Sequence, residues 1–215
     1  MVEEKSSVRR ADPSALGLAA FAATTFLVSV YNVMGGGTMP LLAVFLFAGF
    51  YGGLAQFVAG LFAYRREDTF GATLFTSYGA FYLALATFGG LMLRGSIVPG
   101  PGIERGLAWS LVAYGVVTLG LLLQSFWMNR ALSLVMFGIE ITEILLLIGY
   151  FRGETAGAGL VIAGGVVGLA TALIAWYASV AALVNSMAGS DVLPVGHATA
   201  AGGVHYLFPP QHRAA

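Results

Sequence analysis

Hydroxyls buried in an uncharged apolar run are the first groups in this sequence with chemistry to offer. The stretch TFGATLFTSYGAFYLALA (Thr69–Ala86) sets Thr69, Thr73, Thr76, Ser77 and Tyr78 among phenylalanines, and no charge follows until Arg94. In a helix, Thr69, Thr73 and Thr76 fall on one face at spacings of four and three, with Ser77 beside them. Tyr78 lies on a different face. Threonine and serine can bond the carbonyls of their own helix, so such hydroxyls serve equally as glue between helices or as the lining of a pathway. Tyr78 decides between the two. It stands about 13 Å into its span at 1.5 Å per residue, deeper than a tyrosine of the interfacial belt. That depth places it on a wet or semi-wet path.

A second candidate is the pair Glu140 and Glu143 in MFGIEITEILLL. Counted from Arg130, Glu140 is about 15 Å up its helix, near mid-membrane. A charge at that depth costs about 2.5–3.5 kcal/mol on insertion scales, so the pair faces the bundle or water, or is protonated. A pair of glutamates bonded to hydroxyls at a helix contact is the plainer alternative. Enzyme chemistry has little to stand on. There is no cysteine, and all three histidines (His197, His205, His212) lie in a Gly/Pro-containing tail that reads as solvated and flexible. The apolar runs hold no His and no paired Asp, so no cofactor and no metal site are expected. Asn32 divides between a pore position and a helix C-cap. Asn185 and Gln124 read as caps or packing contacts, and Trp109, Trp127 and Trp176 as belt or core residues.

The elements that carry these residues follow from composition. Of 215 residues, 58% are hydrophobic and 9% charged, against roughly 25% charged in an ordinary soluble domain. A helix needs about 20 apolar residues to span the hydrocarbon core. Six runs qualify: Ala15–Met34, Met39–Phe62, Phe70–Leu93, Leu107–Trp127, Ala131–Tyr150 and Thr155–Val184. The expected fold class is all-α, a polytopic membrane protein of six transmembrane helices, because a backbone in lipid must satisfy its own hydrogen bonds. The expected organisation is an N-terminal tail over 1–14, a pore domain over 15–185 and a C-terminal tail over 186–215. Lys5, Arg9, Arg10, Arg65, Arg66, Arg130 and Arg213 fall on one side of the membrane, and Arg94, Arg105 and Arg152 on the other. That asymmetry puts both termini in the cytoplasm. Small residues four apart (Gly49 and Gly53, Gly164 and Gly168, Ala55 and Ala59) allow close helix approach, within one subunit or between subunits. The formal net charge of zero gives no general attraction to nucleic acid.

Three segments carry a family resemblance: ADPSALGLAAFA (Ala11–Ala22), FYGGLAQFVAGLFAYRREDTFGATLFTSYGAFYLAL (Phe50–Leu85) and VLPVG (Val192–Gly196). They resemble the acetate uptake transporter family, whose bacterial members are the succinate–acetate permeases. The family's run opening the first helix reads Asp12-Pro13-Ser14-Ala15-Leu16-Gly17-Leu18 here, and its Thr-Phe-Gly and Phe-Thr-Ser-Tyr-Gly runs are matched in full at Thr69–Gly71 and Phe75–Gly79. The resemblance is strong in helices one to three and thins in helices four and five. It implies a homohexamer in the plasma membrane, each subunit with its own pore for small monocarboxylates, closed by a narrow waist. The waist positions correspond to Phe21, Tyr78 and Ile139. Apolar walls with a few uncharged donors, here the hydroxyls of Thr76, Ser77 and Tyr78 and the Gln56 amide, suit acetate, a methyl group joined to a carboxylate, and a hydrophobic waist resists water and ions. Two features depart from the family: Ala63, where a glutamate is common, and the Glu140/Glu143 pair, where the family is apolar. At about 100° per residue Glu143 lies about 40° from Ile139 and Glu140 about 100°, so Glu143 is the better pore candidate. The reading is a channel-like or proton-coupled acetate permease that contacts lipid. Its rivals are a channel for another small solute such as ammonium, where ionised glutamates would help, and a structural membrane scaffold, against which the hydroxyl face argues.

Overall fold

The computed structural model describes residues 11–36, 38–97 and 102–196. The tail calls at positions 1–10 and 197–215, with all three histidines, lie outside the described residues. Among the described residues, six helices are long and apolar enough to cross a membrane: α1 (Ser14–Met34), α2 (Leu41–Tyr64), α3 (Thr69–Leu93), α4 (Ile103–Ser125), α5 (Arg130–Phe151) and α6 (Gly159–Ala188). This is the all-α, six-helix membrane architecture expected from the apolar runs. The boundaries differ where local chemistry overrides hydropathy. α4 starts four residues early at Ile103, behind Gly102, whose φ of 104° needs no Cβ. α6 starts late, at Gly159, and runs on to Ala188, where Gly189 ends it in the left-handed region.

The helices form a ring. α1 packs against α6, α6 against α5, and α5 against α4; on the other side α1 packs against α2 and α2 against α3. The ring closes loosely between α3 and α4. Side-chain caps open two of the spans. Asp68 Oδ1 accepts from Gly71 N at 2.9 Å, and Asn129 Oδ1 accepts from Leu132 N at 2.9 Å, each satisfying a helix-end N–H that has no partner within the helix.

Glycines set the tightest crossings. A Cβ on Gly79 would stand 2.6 Å from the Phe57 backbone nitrogen, and one on Gly60 2.6 Å from that of Thr76, so α2 and α3 meet backbone to backbone. Gly168 abuts Ser29 on α1, and Gly164 faces Leu146 and the Thr142 carbonyl on α5. The Gly164/Gly168 stripe therefore serves packing within the subunit. α2 contains a π-helical stretch, Ala48–Ala55, over the sequence AGFYGGLA. Gly52 within it lies against Thr24 of α1, and Gly53 against Leu83 of α3, so the widened turns seat α2 between its two neighbours.

The outer faces stay apolar. Phe50 and Val116 are each 71% exposed and Leu173 60%, surface suited to lipid or to another subunit. Beyond α6 the chain turns back. Asn185 donates from its side chain to the Leu193 carbonyl at 2.9 Å and accepts from Leu193 N at 2.8 Å. The Val195 and Gly196 carbonyls accept from Ala131 N and Arg130 N at 3.1 and 2.8 Å. The motif VLPVG thus caps the start of α5.

Candidate functional site

A cavity of about 470 Å³ lies inside the ring, on the side of the membrane where α1, α3 and α5 end and α4 begins. Its wall is largely apolar and aromatic, and the loose α3–α4 seam forms part of it. Asn32 and Tyr150 stand near its mouth; Tyr78, Ile139 and Glu143 form its floor, at mid-span.

The floor is built around Tyr78, which is 2% exposed. Its ring meets Phe21 edge-on, with centroids 5.3 Å apart and planes at 90°, an arrangement aromatic pairs favour. Phe21, Tyr78 and Ile139 all belong to one packed cluster that continues below the floor through Phe75, Val135 and Met136. The ring is therefore open above Tyr78 and filled below it. The Tyr78 hydroxyl lies 2.6 Å from Thr118 Oγ1 and donates to Glu143 Oε1 at 3.1 Å. One phenol thereby joins α3, α4 and α5. Tyr114 adds a second tie, donating to the Ser77 carbonyl at 2.6 Å. These two tyrosines bridge the seam that helix packing leaves loose. Higher up, the Tyr82 hydroxyl and Thr25 Oγ1 are 2.8 Å apart and join α3 to α1.

Glu143 is 5% exposed, and its second oxygen, Oε2, has no hydrogen-bond partner. Glu140 is outside the cavity wall, and its Oε2 is also without a partner. Among the described residues, Arg152 and Glu154 form an ion pair at 3.2 Å near the end of α5. No such pair reaches either mid-span glutamate.

The other expected site residues divide. Asn32 lines the cavity and also acts at the helix end, its carbonyl accepting from Gly157 N at 2.9 Å. Thr76 donates to its own helix, to the Ala72 carbonyl at 2.6 Å, and packs against Gly60 rather than facing the cavity. Ser77 is outside the cavity wall; its carbonyl, not its hydroxyl, takes the bond from Tyr114. Gln56 is fully buried at the end of the π-helical stretch, with neither amide atom hydrogen-bonded, and it too lies outside the wall. Phe21 supports the floor from beneath. The reading of the sequence passed over Thr118, Tyr114 and Thr25. A signal existed for the first two: they stand four apart on one face of a run otherwise almost free of polar side chains.

The chain's relatives include transport proteins. It is 35% identical over 191 residues to the succinate–acetate/proton symporter SatP of Escherichia coli, covering 88% of this chain and 97% of that one. It is 34% identical to acetate permease A of Emericella nidulans, over 87% of this chain and 66% of the relative. Ammonia transport outward protein 2 of Saccharomyces cerevisiae is 35% identical, and there the chain spans 59% of the relative's length. Among solved structures, the bacterial acetate channel SatP superposes with a TM-score of 0.78 at 34% identity, covering 87% of this chain and 99% of that one. The profile of the GPR1/FUN34/yaaH family matches residues 2–198, and the chain belongs to that family.

Proposed function

We propose that this protein carries acetate and similar small monocarboxylates across the membrane through a path inside each subunit. The observation that carries the reading is the floor: a cavity with apolar walls that ends at mid-span on Tyr78 and Ile139, with Phe21 packed against Tyr78 beneath them. A small solute with a methyl end and a carboxylate end suits such a path. The walls take the methyl group, and the Tyr82 hydroxyl and the Asn32 amide offer polar contacts along one route. The packed residues beneath the floor hold back water and ions. SatP and acetate permease A, named for acetate, support the same substrate.

In this reading the protein is a transporter and not an enzyme. It lies in the plasma membrane with both termini cytoplasmic, residues 15–185 form the pore domain between two tails, and the cavity faces outward. The assembly is a homohexamer, whose contacts would cover part of the apolar outer face. A second reading, passage of ammonium, is favoured by one relative's name and by the acidic floor.

Labelled-acetate flux into liposomes containing the purified protein, with and without a pH gradient, tests both readings when labelled methylammonium is run beside it. Saturable acetate flux above that of protein-free vesicles is expected. Methylammonium flux without acetate flux would overturn the carboxylate reading in favour of its rival.

A further inference from the structure

A carboxyl group at the closed end of an anion pathway is a contradiction unless its charge can be removed. Glu143 lies at the floor, one face of it held and the other not. Oε1 accepts from the Tyr78 hydroxyl at 3.1 Å, and Tyr78 is in turn 2.6 Å from Thr118 Oγ1. Oε2 has no partner. It points toward Gly115, where a Cβ would stand 4.0 Å away, and it is shielded from solvent although the residue lines the cavity.

The surroundings supply no compensating charge. α3 presents Tyr78 and Tyr82 and α4 presents Tyr114. α5 itself carries Glu140, one turn before Glu143. The spans of α1, α2 and α6 contain no Asp, Glu, Lys, Arg or His. Every charge-bearing neighbour is therefore neutral or of the same sign as an ionised Glu143.

The hydrogen bonds define two states. With Glu143 ionised, Tyr78 donates to Oε1 and Thr118 donates to the Tyr78 oxygen. All protons are used, and a substrate carboxylate meets like charge across a short distance in a medium of low dielectric. With a proton on Oε2, the same Tyr78 and Thr118 bonds persist, and the carboxyl carries a donor that no group of the protein accepts. We propose that Glu143 is the group through which a proton admits the substrate. Protonated, it turns Oε2 into the cavity that it lines and donates to the substrate carboxylate at the floor; ionised, it repels the anion. The proton comes from hydronium in the cavity water, one O–H bond breaking there as another forms on Glu143, and the bonds of the substrate are unchanged. This rests on the carboxylate reading above and adds to it the residue that makes passage depend on pH.

The test compares the wild type with Glu143→Gln, which keeps a donor but cannot titrate. Acetate exchange is followed at equal pH on both sides of the vesicle, with protein-free vesicles subtracted. On the alkaline side the wild-type rate should fall by up to about tenfold per pH unit, as the protonated fraction does, while the Glu143→Gln rate stays level. Proton uptake on acetate binding, read with an indicator dye in detergent, gives a second measure that needs only the wild type. About one proton per bound acetate is expected on the alkaline side by linkage, and none for Glu143→Gln. Acetate binding and exchange without proton uptake, or a Glu143→Gln profile matching the wild type, overturns the inference alone. Absence of acetate flux in the wild type overturns the carboxylate reading, and this inference with it.

Discussion

Replacing Gly79 by alanine should loosen the membrane domain where α2 and α3 cross. The added Cβ would stand 2.6 Å from the Phe57 nitrogen and 2.8 Å from its Cα. Both are backbone atoms, so no side chain can swing aside to relieve the clash. The two helices must part locally by a distance on the order of 1 Å to restore normal contact. Overpacking of this kind costs about 1–3 kcal/mol. Gly90, on the same helix, has no atom within 4 Å of the corresponding Cβ position. Alanine there should gain about 0.5–1 kcal/mol from the smaller backbone entropy lost on forming the helix. The two variants share one chemical change and should move stability in opposite directions. The chain has three tryptophans and no cysteine, so thermal unfolding in detergent is best followed by intrinsic fluorescence rather than a thiol dye. Gly79 also adjoins Tyr78, and parting α2 from α3 should disturb the floor and lower acetate flux. A Gly79→Ala midpoint equal to or above that of Gly90→Ala would refute the reasoning.

Removing either aromatic group of the waist should widen the path. Phe21→Ala and Tyr78→Ala are each expected to raise lactate flux relative to acetate, by about tenfold for a gap of a methyl group or more, and unchanged selectivity in folded variants removes these residues from the waist. Native mass spectrometry from mild detergent should find a hexamer; a monomer in every gentle detergent tried counts against that assembly. Asn185→Ala deletes both side-chain bonds to Leu193, a local loss of about 1–3 kcal/mol. Limited proteolysis should then cut the segment after Gly189 faster, and equal cleavage rates would mean that the contacts to α5 hold it without Asn185.

Some features of this protein were decided by composition and spacing alone. Six long apolar runs, only the fifth of which carries acidic residues, are read as helices in water-poor surroundings, so the class and the number of spans follow from hydrogen-bond satisfaction. The depth of Tyr78 was likewise a matter of counting residues along a helix. What Tyr78 touches was not. Thr118 is 40 residues away in sequence and Glu143 is 65, and only the closing of the ring brings α4 and α5 to the same phenol. Thr76 shows the opposite case. Its hydroxyl had two physically equal outlets, a pathway or its own helix, and the backbone contact with Gly60 turned it to the Ala72 carbonyl. Gln56 and Ser77 were placed near a path by type, yet helical phase relative to neighbours put them outside the cavity wall. Short-range sequence fixes depth and chemistry in a membrane helix, while the rotation of each helix about its axis is set by which small residues let its neighbours approach. At Gly79, Gly60 and Gly168 that approach is visible, and it is what aims Tyr78 and Glu143 at one another.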